Sequence, residues 1–247
     1  MAVKNWVVMG VDTGLGRAIA LELLESGHRV FALVLDYNKV TDLTSRFKDR
    51  FIAEELESYT NHFMRKFMTD LLNVTFIVDG LILCETSALL GSVEETSTSE
   101  ISKAIESGLT FPILLVRGLI SLFRSNRRGR IVYISSSQGE KSQPGASVFS
   151  ATSYALEHFI NSVSDEMSVF GVETSIINIG RNDTPVLTGE MTIANLMSDY
   201  DISESHDLIS KVLLTKPQEM EMENKWRAKS ISDFVSGEMI SKRLILN

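Results

Sequence analysis

Short apolar runs alternate along the chain with segments in which apolar residues recur every three or four positions. The continuous runs have the length of strands and span residues 6–9, 29–35, 80–83, 130–134 and 174–179. The helical pattern covers residues 17–25, 54–72, 100–123 (with Pro112 inside it) and 150–170. Strands that are apolar on both sides are typical of a parallel sheet covered by helices. The pattern therefore predicts a parallel sheet with helices on both faces.

The predicted fold class is α/β, with a doubly wound, Rossmann-type sheet. At 247 residues, with 44% hydrophobic and 23% charged residues, we expect a single domain over residues 1–247. Residues 188–223 are polar and rich in methionine, so we expect them to form a less regular substrate lobe over the carboxyl edge of the sheet.

The formal net charge of −8 argues against a nucleic-acid partner, because binding to phosphates needs clustered Lys and Arg. The basic stretch at residues 124–130 is interpreted as a solvated turn, with a contact surface as the alternative. Four scattered histidines give no metal-ligand spacing, so no metal is expected.

The chain has one cysteine, Cys84, which excludes an internal disulfide and fits a reducing compartment. We find no apolar stretch of about 18 residues, the length that spans a membrane. The apolar run near the N-terminus is too short for a signal peptide. These observations predict a cytoplasmic protein without membrane contact.

A glycine-rich loop follows the first predicted strand and opens the first helix. Residues 10–16 read G-V-D-T-G-L-G. In this context glycines let the backbone approach a pyrophosphate, and the helix N-terminus supplies N–H groups. The alternative is that the tight turn alone requires the glycines.

Two carboxylates indicate which dinucleotide would bind. Asp12 could accept hydrogen bonds from an adenosine ribose and would repel a 2′-phosphate, and Asp36 follows the second strand without a neighbouring cation. NAD(H) is therefore favoured over NADP(H), although Arg17 could reach a phosphate. The candidate cofactor-binding residues from this loop and strand are Gly10, Asp12, Thr13, Gly14, Leu15, Gly16 and Asp36.

The chain resembles the short-chain dehydrogenase/reductase family from about residue 7 to residue 185. Residues 10–16 resemble the glycine loop of the family, with Met9 in place of its Thr. Three further segments resemble motifs of the family: residues 91–95 its G-P-I-E-E, residues 130–136 its R-I-V-N-I-S-S, and residues 155–159 its A-L-E-A-F. Residues 180–185 resemble the G-x-x-x-T-P loop, which adds Thr184 to the candidate cofactor-binding residues.

The D-T-G-L-G form of the loop is similar to that of NAD-preferring retinol- and hydroxysteroid-oxidising members. The family's N-N-A-G motif falls on residues 83–86, which keep none of it.

The resemblance also implies the catalytic positions. The family uses a Tyr as general acid or base, a Lys four residues later, a Ser that binds the substrate oxygen and an Asn in a proton relay. The Ser corresponds to Ser136, but the Tyr falls on Phe149, the Lys on Ser153 and the Asn on Gly108. Phe149 carries no exchangeable proton and Ser153 no charge, so the resemblance implies a catalytically degenerate member.

Other residues could supply the missing chemistry. Tyr154 and His158 imitate the Tyr–Lys spacing, but a shift of five residues turns a helical side chain by roughly 140°. Cys84 is more simply a small buried hydrophobic residue than a nucleophile. Glu85 could be a substituted acid, an intrusion that weakens cofactor binding, or a solvent-facing residue.

Members of the family usually assemble through two long helices, here about residues 100–123 and 150–170. The leading hypothesis is a non-catalytic subunit of a homo- or hetero-oligomer that pairs with an active reductase-type partner, or that binds a dinucleotide without turnover. The alternatives are an NAD(H)-dependent oxidoreductase for a carbonyl or alcohol with atypical proton transfer, and a dinucleotide-sensing module.

Overall fold

The computed structural model describes residues 2–12, 14–75, 77–84, 87–136, 141–179, 190–214, 217–237 and 240–246, with the backbone alone at residues 87, 190 and 217–222. Its central element is a seven-stranded sheet in the order β3-β2-β1-β4-β6-β7-β9, in which all paired strands are parallel. The strands are β1 (Asn5–Met9), β2 (Arg29–Val34), β3 (Phe51–Glu55), β4 (Gly80–Leu83), β6 (Gly129–Ser136), β7 (Val172–Ile179) and β9 (Arg243–Leu246).

Helices cover both faces of this sheet. They are α1 (Gly14–Glu25), α2 (Thr41–Phe47), α3 (Asn61–Val74), α4 (Thr98–Ile105), α5 (Phe111–Asn126), α6 (Ser147–Met167), α7 (Glu204–Leu214) and α8 (Pro217–Ser236). Alternate residues of β1 belong to two separate buried clusters, one shared with α1, α2 and α8 and the other with α3, α5 and α6. The predicted doubly wound fold is confirmed.

The strand order reverses beside β1, because the chain runs outward through β2 and β3 and then returns to place β4 on the opposite side. Ligands of open α/β sheets bind outside the carboxyl ends of the strands at such a switch point. The glycine loop and the end of β4 both lie at this edge.

A second sheet pairs β5 (Ser87–Leu90) in parallel with β8 (Glu190–Ile193). Gly91, which follows β5, forms a bridge to Ala146 just before α6. Its φ is +154°, and a Cβ there would lie 2.6 Å from the Cβ of Ala194. This small sheet therefore holds the chain after β8 close to the start of α6.

The prediction of one helix over residues 54–72 is wrong at its start. Residues 51–55 form β3, whose Phe51 pairs with Val30 of β2, and the helix begins only at Asn61. Thr60 caps that helix, accepting a hydrogen bond from the N–H of Phe63. The free edge of β2 decided the structure of residues 51–55, since β pairing overrides local helical preference.

The helix expected over residues 100–123 is interrupted. Residues 106–110 form a π-turn between α4 and α5, in which the N–H of Phe111 reaches the carbonyl of Glu106. Pro112 lies at the start of α5 and has no N–H to continue the regular ladder. Gly108 lies inside this π-turn.

Within the range 188–223, the described residues 190–214 and 217–223 are more regular than expected. They contain β8, a 3-10 turn at Ser198–Tyr200, all of α7 and the first part of α8. Leu208, Ile209 and Val212 of α7 are buried, which explains why this polar segment is ordered: one helical face is apolar.

One helix in the described part of the chain, Thr98–Asn126, is long and apolar enough to cross a membrane by length and composition. The sequence-based statement that no such stretch exists is therefore wrong. A single helix of this kind is weak evidence, because the core helix of a soluble protein passes the same test.

Candidate functional site

The glycine loop joins β1 to α1 at the switch point of the sheet. Gly10 has a φ of +83°, a conformation that favours glycine. A Cβ on Gly16 would lie 2.1 Å from the carbonyl oxygen of Gly10. These two glycines are required by the backbone itself, whether or not a ligand binds. Gly14 begins α1, and Leu15 is fully buried.

The side chain of Asp12 links the glycine loop to the end of β2. Its Oδ2 accepts hydrogen bonds from the N–H groups of Leu35 at 2.8 Å and Asp36 at 3.0 Å. Its Oδ1 is buried and has no hydrogen-bond partner among the residues that the structure describes. Burial raises the pKa of Asp12, although its backbone hydrogen bonds oppose that rise. A ribose hydroxyl is a donor of the kind that this oxygen lacks.

The charged residues around the end of β2 are mostly engaged with the protein. Asp36 caps the following turn, accepting from the N–H of Asn38 at 2.9 Å. The guanidinium of Arg17 donates to the carbonyl of Lys39 at 2.7 Å and to Asp42 at 2.6 Å. Arg17 would have to leave both partners to bind a phosphate. Thr13 and Thr184, the other predicted cofactor residues, lie outside the described residues.

The four catalytic positions implied by the resemblance come from three elements. Ser136 ends β6, Phe149 and Ser153 lie one turn apart at the start of α6, and Gly108 lies in the π-turn. Ser136 and Ser153 are fully buried and Phe149 is 2% exposed. Phe149 belongs to the same buried apolar cluster as Leu15 of the glycine-loop helix.

Gly108 lies against α6. A Cβ added to it would be 3.2 Å from Oγ1 of Thr152 and 3.4 Å from its Cβ. Thr152 therefore leaves little space for a longer side chain at residue 108. Thr152 is itself fixed, since its hydroxyl donates to the carbonyl of Phe149 at 2.9 Å.

The alternative catalytic residues do not converge on Phe149. Tyr154 is 53% exposed, and its ring lies 4.5 Å from that of His158, whereas Phe149 points into the core. The five-residue offset predicts this difference in direction. Cys84 is buried in the apolar core cluster that also contains Phe149. Glu85 lies outside the described residues. Within the ranges that the structure describes, no group of three His, Cys, Asp or Glu residues could hold a metal.

A buried polar network beside β5 was missed by the sequence reasoning. The carboxylate of Glu95 accepts from the N–H groups of Ser92 and Met197, each at 2.7 Å, and its Oε1 lies 2.7 Å from Nε2 of His206. Burial alone would raise the pKa of Glu95, but these hydrogen bonds outweigh it and lower the pKa to about 2. The Ser92-x-x-Glu95 spacing is a capping-box pattern, so the sequence could have predicted the contact between these two residues. The contact with His206 could not be predicted, because His206 is too distant in sequence.

The network fixes the chain after β8 over the carboxyl edge of the sheet. Ser205, which precedes His206 in α7, has its hydroxyl 2.6 Å from that of Ser92. Gly145, which precedes α6, lies against the backbone of Ser205: a Cβ on Gly145 would be 2.8 Å from the carbonyl oxygen of Ser205. The segment that covers the candidate site is therefore attached by polar contacts as well as by the apolar face of α7.

Known proteins share this architecture and sequence. The sequence profile of the short chain dehydrogenase family matches residues 4–192. Oxidoreductase BOA17 of Botryotinia fuckeliana is 23% identical over 80% of this chain and 72% of that protein. Dehydrogenase/reductase SDR family member 7B of Xenopus laevis is 26% identical over 70% of this chain, and the match spans only 57% of that relative's length.

Solved structures of other proteins share the fold of this chain. A short-chain dehydrogenase from Streptomyces avermitilis superposes with a TM-score of 0.87 and 26% identity, over 100% of this chain and 88% of that one. An alcohol dehydrogenase from Thermococcus sibiricus, complexed with 5-hydroxy-NADP, has a TM-score of 0.78 over 99% of this chain and 96% of that one; at 15% identity it supports the fold alone. With its profile match, sheet order and glycine loop, the chain belongs to the short chain dehydrogenase family of oxidoreductases.

Proposed function

We propose that this chain is a catalytically degenerate member of its family that retains the dinucleotide cleft and acts as a non-catalytic subunit. The observation that carries the proposal is the buried Phe149 at the position of the general acid. Ser153 and Gly108, at the positions of the family's Lys and Asn, add to it.

The chemistry explains why these positions matter. Reduction of a carbonyl needs a hydride on carbon and a proton on oxygen. Phe149 has no proton to donate, and Ser153 has no charge with which to lower a neighbour's pKa. Loss of a positioned general acid typically lowers a rate by about 10²–10⁴. Ser136, the retained residue, could orient a carbonyl oxygen but would have to lose its own proton to supply one.

The residues present fit a dinucleotide. The backbone of Gly10, Gly14 and Gly16 would face its pyrophosphate at the start of α1, and Oδ1 of Asp12 and the carboxylate of Asp36 would accept from its ribose. When bound, the nicotinamide supplies or accepts a hydride. The bonds that occupy Arg17 favour NAD(H) over NADP(H). Thr13 and Thr184 remain part of this proposal from the sequence motifs.

The proposed partner is another subunit of this family, either a second copy or an active paralogue. It would bind along residues 100–123 and 150–170. Only 33% of the most apolar window of helix Thr98–Asn126 is buried within the chain. Ile105 is 40% exposed and Tyr154 on α6 is 53% exposed. A self-complementary face of this kind can pair related chains around a twofold axis. The chain has a single cysteine, which fits a reducing compartment, so the proposed location is the cytoplasm.

A second candidate is an NAD(H)-dependent oxidoreductase with atypical proton transfer. Two observations favour it: the relatives above are named as oxidoreductases, and Ser136 lies at the end of β6 where a substrate oxygen would bind. In that case the proton would come from water or from Ser136 with a water behind it.

One experiment separates these candidates. The purified protein is titrated with NADH and NADPH by ligand fluorescence, and NADH oxidation is then followed with a panel of aldehydes and ketones. Binding of NADH without turnover supports the proposal. Turnover that survives Phe149→Leu but is lost in Ser136→Ala would establish the oxidoreductase instead.

Native mass spectrometry tests the proposed partner surface. Tyr154→Glu should reduce assembly while the monomer stays folded, because it places a charge on the proposed contact. Val74→Glu is the matched control, since Val74 is 48% exposed but ends α3, outside both proposed ranges. Equal assembly of the wild type and both variants would contradict the proposed surface.

A further inference from the structure

Two ion pairs connect α1 to α2, one at each end of α1. Arg17, in the first turn of α1, donates to the carboxylate of Asp42 at 2.6 Å. Arg46 of α2 donates at 2.8 Å to Glu25, the last residue of α1. All four side chains are between 35% and 65% exposed. The two pairs are alike in chemistry, but Glu25 lies about 12 Å further along the helix than Arg17.

A chain of hydrogen bonds places Arg17 beside the segment that follows β2. Oδ2 of Asp12, in the glycine loop, accepts from the N–H of Asp36 at 3.0 Å. The carbonyl of Asp36 accepts from the N–H of Lys39 at 3.2 Å, and the carbonyl of Lys39 accepts from the guanidinium of Arg17 at 2.7 Å. Arg17 therefore lies one turn beyond the end of β2, where the adenosine ribose of a bound dinucleotide would lie.

The end of β2 carries the two opposite determinants of dinucleotide choice. In folds of this kind an acidic residue after the second strand accepts from the ribose 2′-hydroxyl of NAD, whereas a nearby arginine accommodates the 2′-phosphate of NADP. This chain has both, because Asp36 follows the strand and Arg17 lies one turn away. The choice between NAD(H) and NADP(H) therefore depends on whether the guanidinium of Arg17 can leave its partners.

Asp42 acts against a 2′-phosphate in two ways. Its carboxylate occupies a nitrogen of the Arg17 guanidinium that would otherwise be open to a phosphate oxygen. The hydrogen bond from Arg17 also holds the pKa of Asp42 below its ordinary value, so the carboxylate is ionised at physiological pH. A phosphate bound to Arg17 would lie well within the Debye length of about 8 Å from this carboxylate and would be repelled by it.

We propose that Asp42 is a specificity-determining residue, which selects NAD(H) by holding the Arg17 guanidinium and by repelling a 2′-phosphate. This inference rests on the proposed dinucleotide cleft. Asp42 is a positioning residue, since it acts through Arg17. Removal of its carboxylate should turn the cleft towards NADP(H), with Asp36 and the glycine loop unchanged.

The test measures affinities of the full chain for NADH and NADPH by calorimetry, with ADP and adenosine 2′,5′-bisphosphate as smaller probes. Asp42→Ala removes the carboxylate, Arg17→Gln removes the guanidinium, and a double variant removes both. Glu25→Ala is the matched control, because it breaks the other arginine–carboxylate pair between the same two helices. Thermal melting confirms that each variant is folded.

The role of Asp42 predicts a specific pattern of affinities. Asp42→Ala strengthens binding of NADPH relative to NADH about fivefold, which corresponds to the loss of one competing exposed ion pair. Adenosine 2′,5′-bisphosphate gains the same factor and ADP gains none. The double variant gains about twofold or less, because only the repulsion is removed when Arg17 is absent. The gain in Asp42→Ala shrinks at high salt, and Glu25→Ala keeps the wild-type ratio.

Three results would overturn this role of Asp42. The first is an unchanged ratio of NADPH to NADH affinity in Asp42→Ala, and the second is an equal gain in Glu25→Ala. The third is a gain that persists in full in the double variant, since Asp42 would then act without holding Arg17.

The outcomes also separate this inference from the proposed function. Binding of NADH with an unchanged ratio in Asp42→Ala contradicts the role of Asp42 alone. Absence of NADH and NADPH binding in every folded variant contradicts the dinucleotide cleft and, with it, this inference. Turnover of NADH with a carbonyl contradicts only the non-catalytic subunit, because the role of Asp42 is judged by a ratio of two affinities.

Discussion

Nε2 of His206 lies 2.7 Å from Oε1 of Glu95, although the two residues are 111 positions apart in sequence. Nδ1 of the same imidazole lies 3.4 Å from Oδ1 of Asp201 on the exposed side. The contact joins the turn after β5 to α7. It shows that the segment covering the candidate site is held by a buried carboxylate with several donors, as well as by apolar packing.

Glu95 should make the protein sensitive to acid. Its pKa is lowered to about 2 from an ordinary 4.5, so its stabilising contribution is complete above pH 4.5 and is lost as the pH falls towards 2. Glu95→Gln removes this dependence, so its melting temperature should fall less between pH 5 and pH 3 than that of the wild type. Glu94→Gln, at an exposed neighbour, is the control. Parallel pH profiles for wild type and Glu95→Gln would contradict the prediction.

Restoring a tyrosine and a lysine tests the proposed loss of the general acid. Phe149→Tyr together with Ser153→Lys should raise NADH-dependent carbonyl reduction at least tenfold over the wild type, because a nearby ammonium lowers the pKa of the phenol. Phe149→Tyr alone should gain less. Gly108→Asn is not included, since its Cβ would lie 3.2 Å from Oγ1 of Thr152. Equal rates in the wild type and the double variant, with NADH bound to both, would show that the defect lies elsewhere.

The glycine loop should tolerate no side chain at residue 16. The nearest atoms to a Cβ on Gly16 are backbone atoms of Gly10, at 2.1 and 2.8 Å, which have no room to move. Gly16→Ala should therefore destabilise the fold by at least about 2–4 kcal/mol, as overpacking against backbone does.

Gly118→Ala in α5 provides the control for this change. There the nearest atom is the flexible Met64 side chain, at 3.2 Å, and the gain in helix propensity of about 0.5–1 kcal/mol opposes any crowding. Urea denaturation measures both variants. Similar stabilities for the two would contradict the close strand-to-helix packing.

The C-terminal strand should depend on one partly buried ion pair. Glu157 of α6 is 3% exposed; it pairs with Arg243 of β9 and accepts from the hydroxyl of Ser135 at 2.5 Å. Arg243→Gln leaves this carboxylate without its cation and should cost about 1–3 kcal/mol in the free energy of unfolding, since the Arg itself is partly solvated.

Lys242→Gln should change the free energy of unfolding by less than about 0.5 kcal/mol, because exposed ion pairs contribute little. Lys242 pairs with Asp165, and the two side chains are 72% and 80% exposed. Chemical denaturation compares the two variants directly. A cost for Lys242→Gln as large as that for Arg243→Gln would contradict the role of the buried carboxylate.

The sequence alone determined the fold class and the location of the glycine loop. Continuous apolar strands such as Gly80–Leu83 and amphipathic helices such as α1 are encoded in local periodicity, which does not depend on distant residues. The resemblance also implied which residues stand at the family's catalytic positions, because motifs on either side of Phe149 set the alignment, and this assignment stays a prediction.

Only the tertiary structure decided the contacts between distant segments. Residues 51–55 form a strand because the edge of β2 is open to pairing. A π-turn beside α6 interrupts the helix predicted over residues 100–123. Oδ2 of Asp12 is hydrogen-bonded because β2 ends beside the loop, and Glu95 meets His206 only when α7 folds over the sheet. Periodicity specifies which face of an element is buried, but hydrogen bonds between side chains depend on which elements become neighbours.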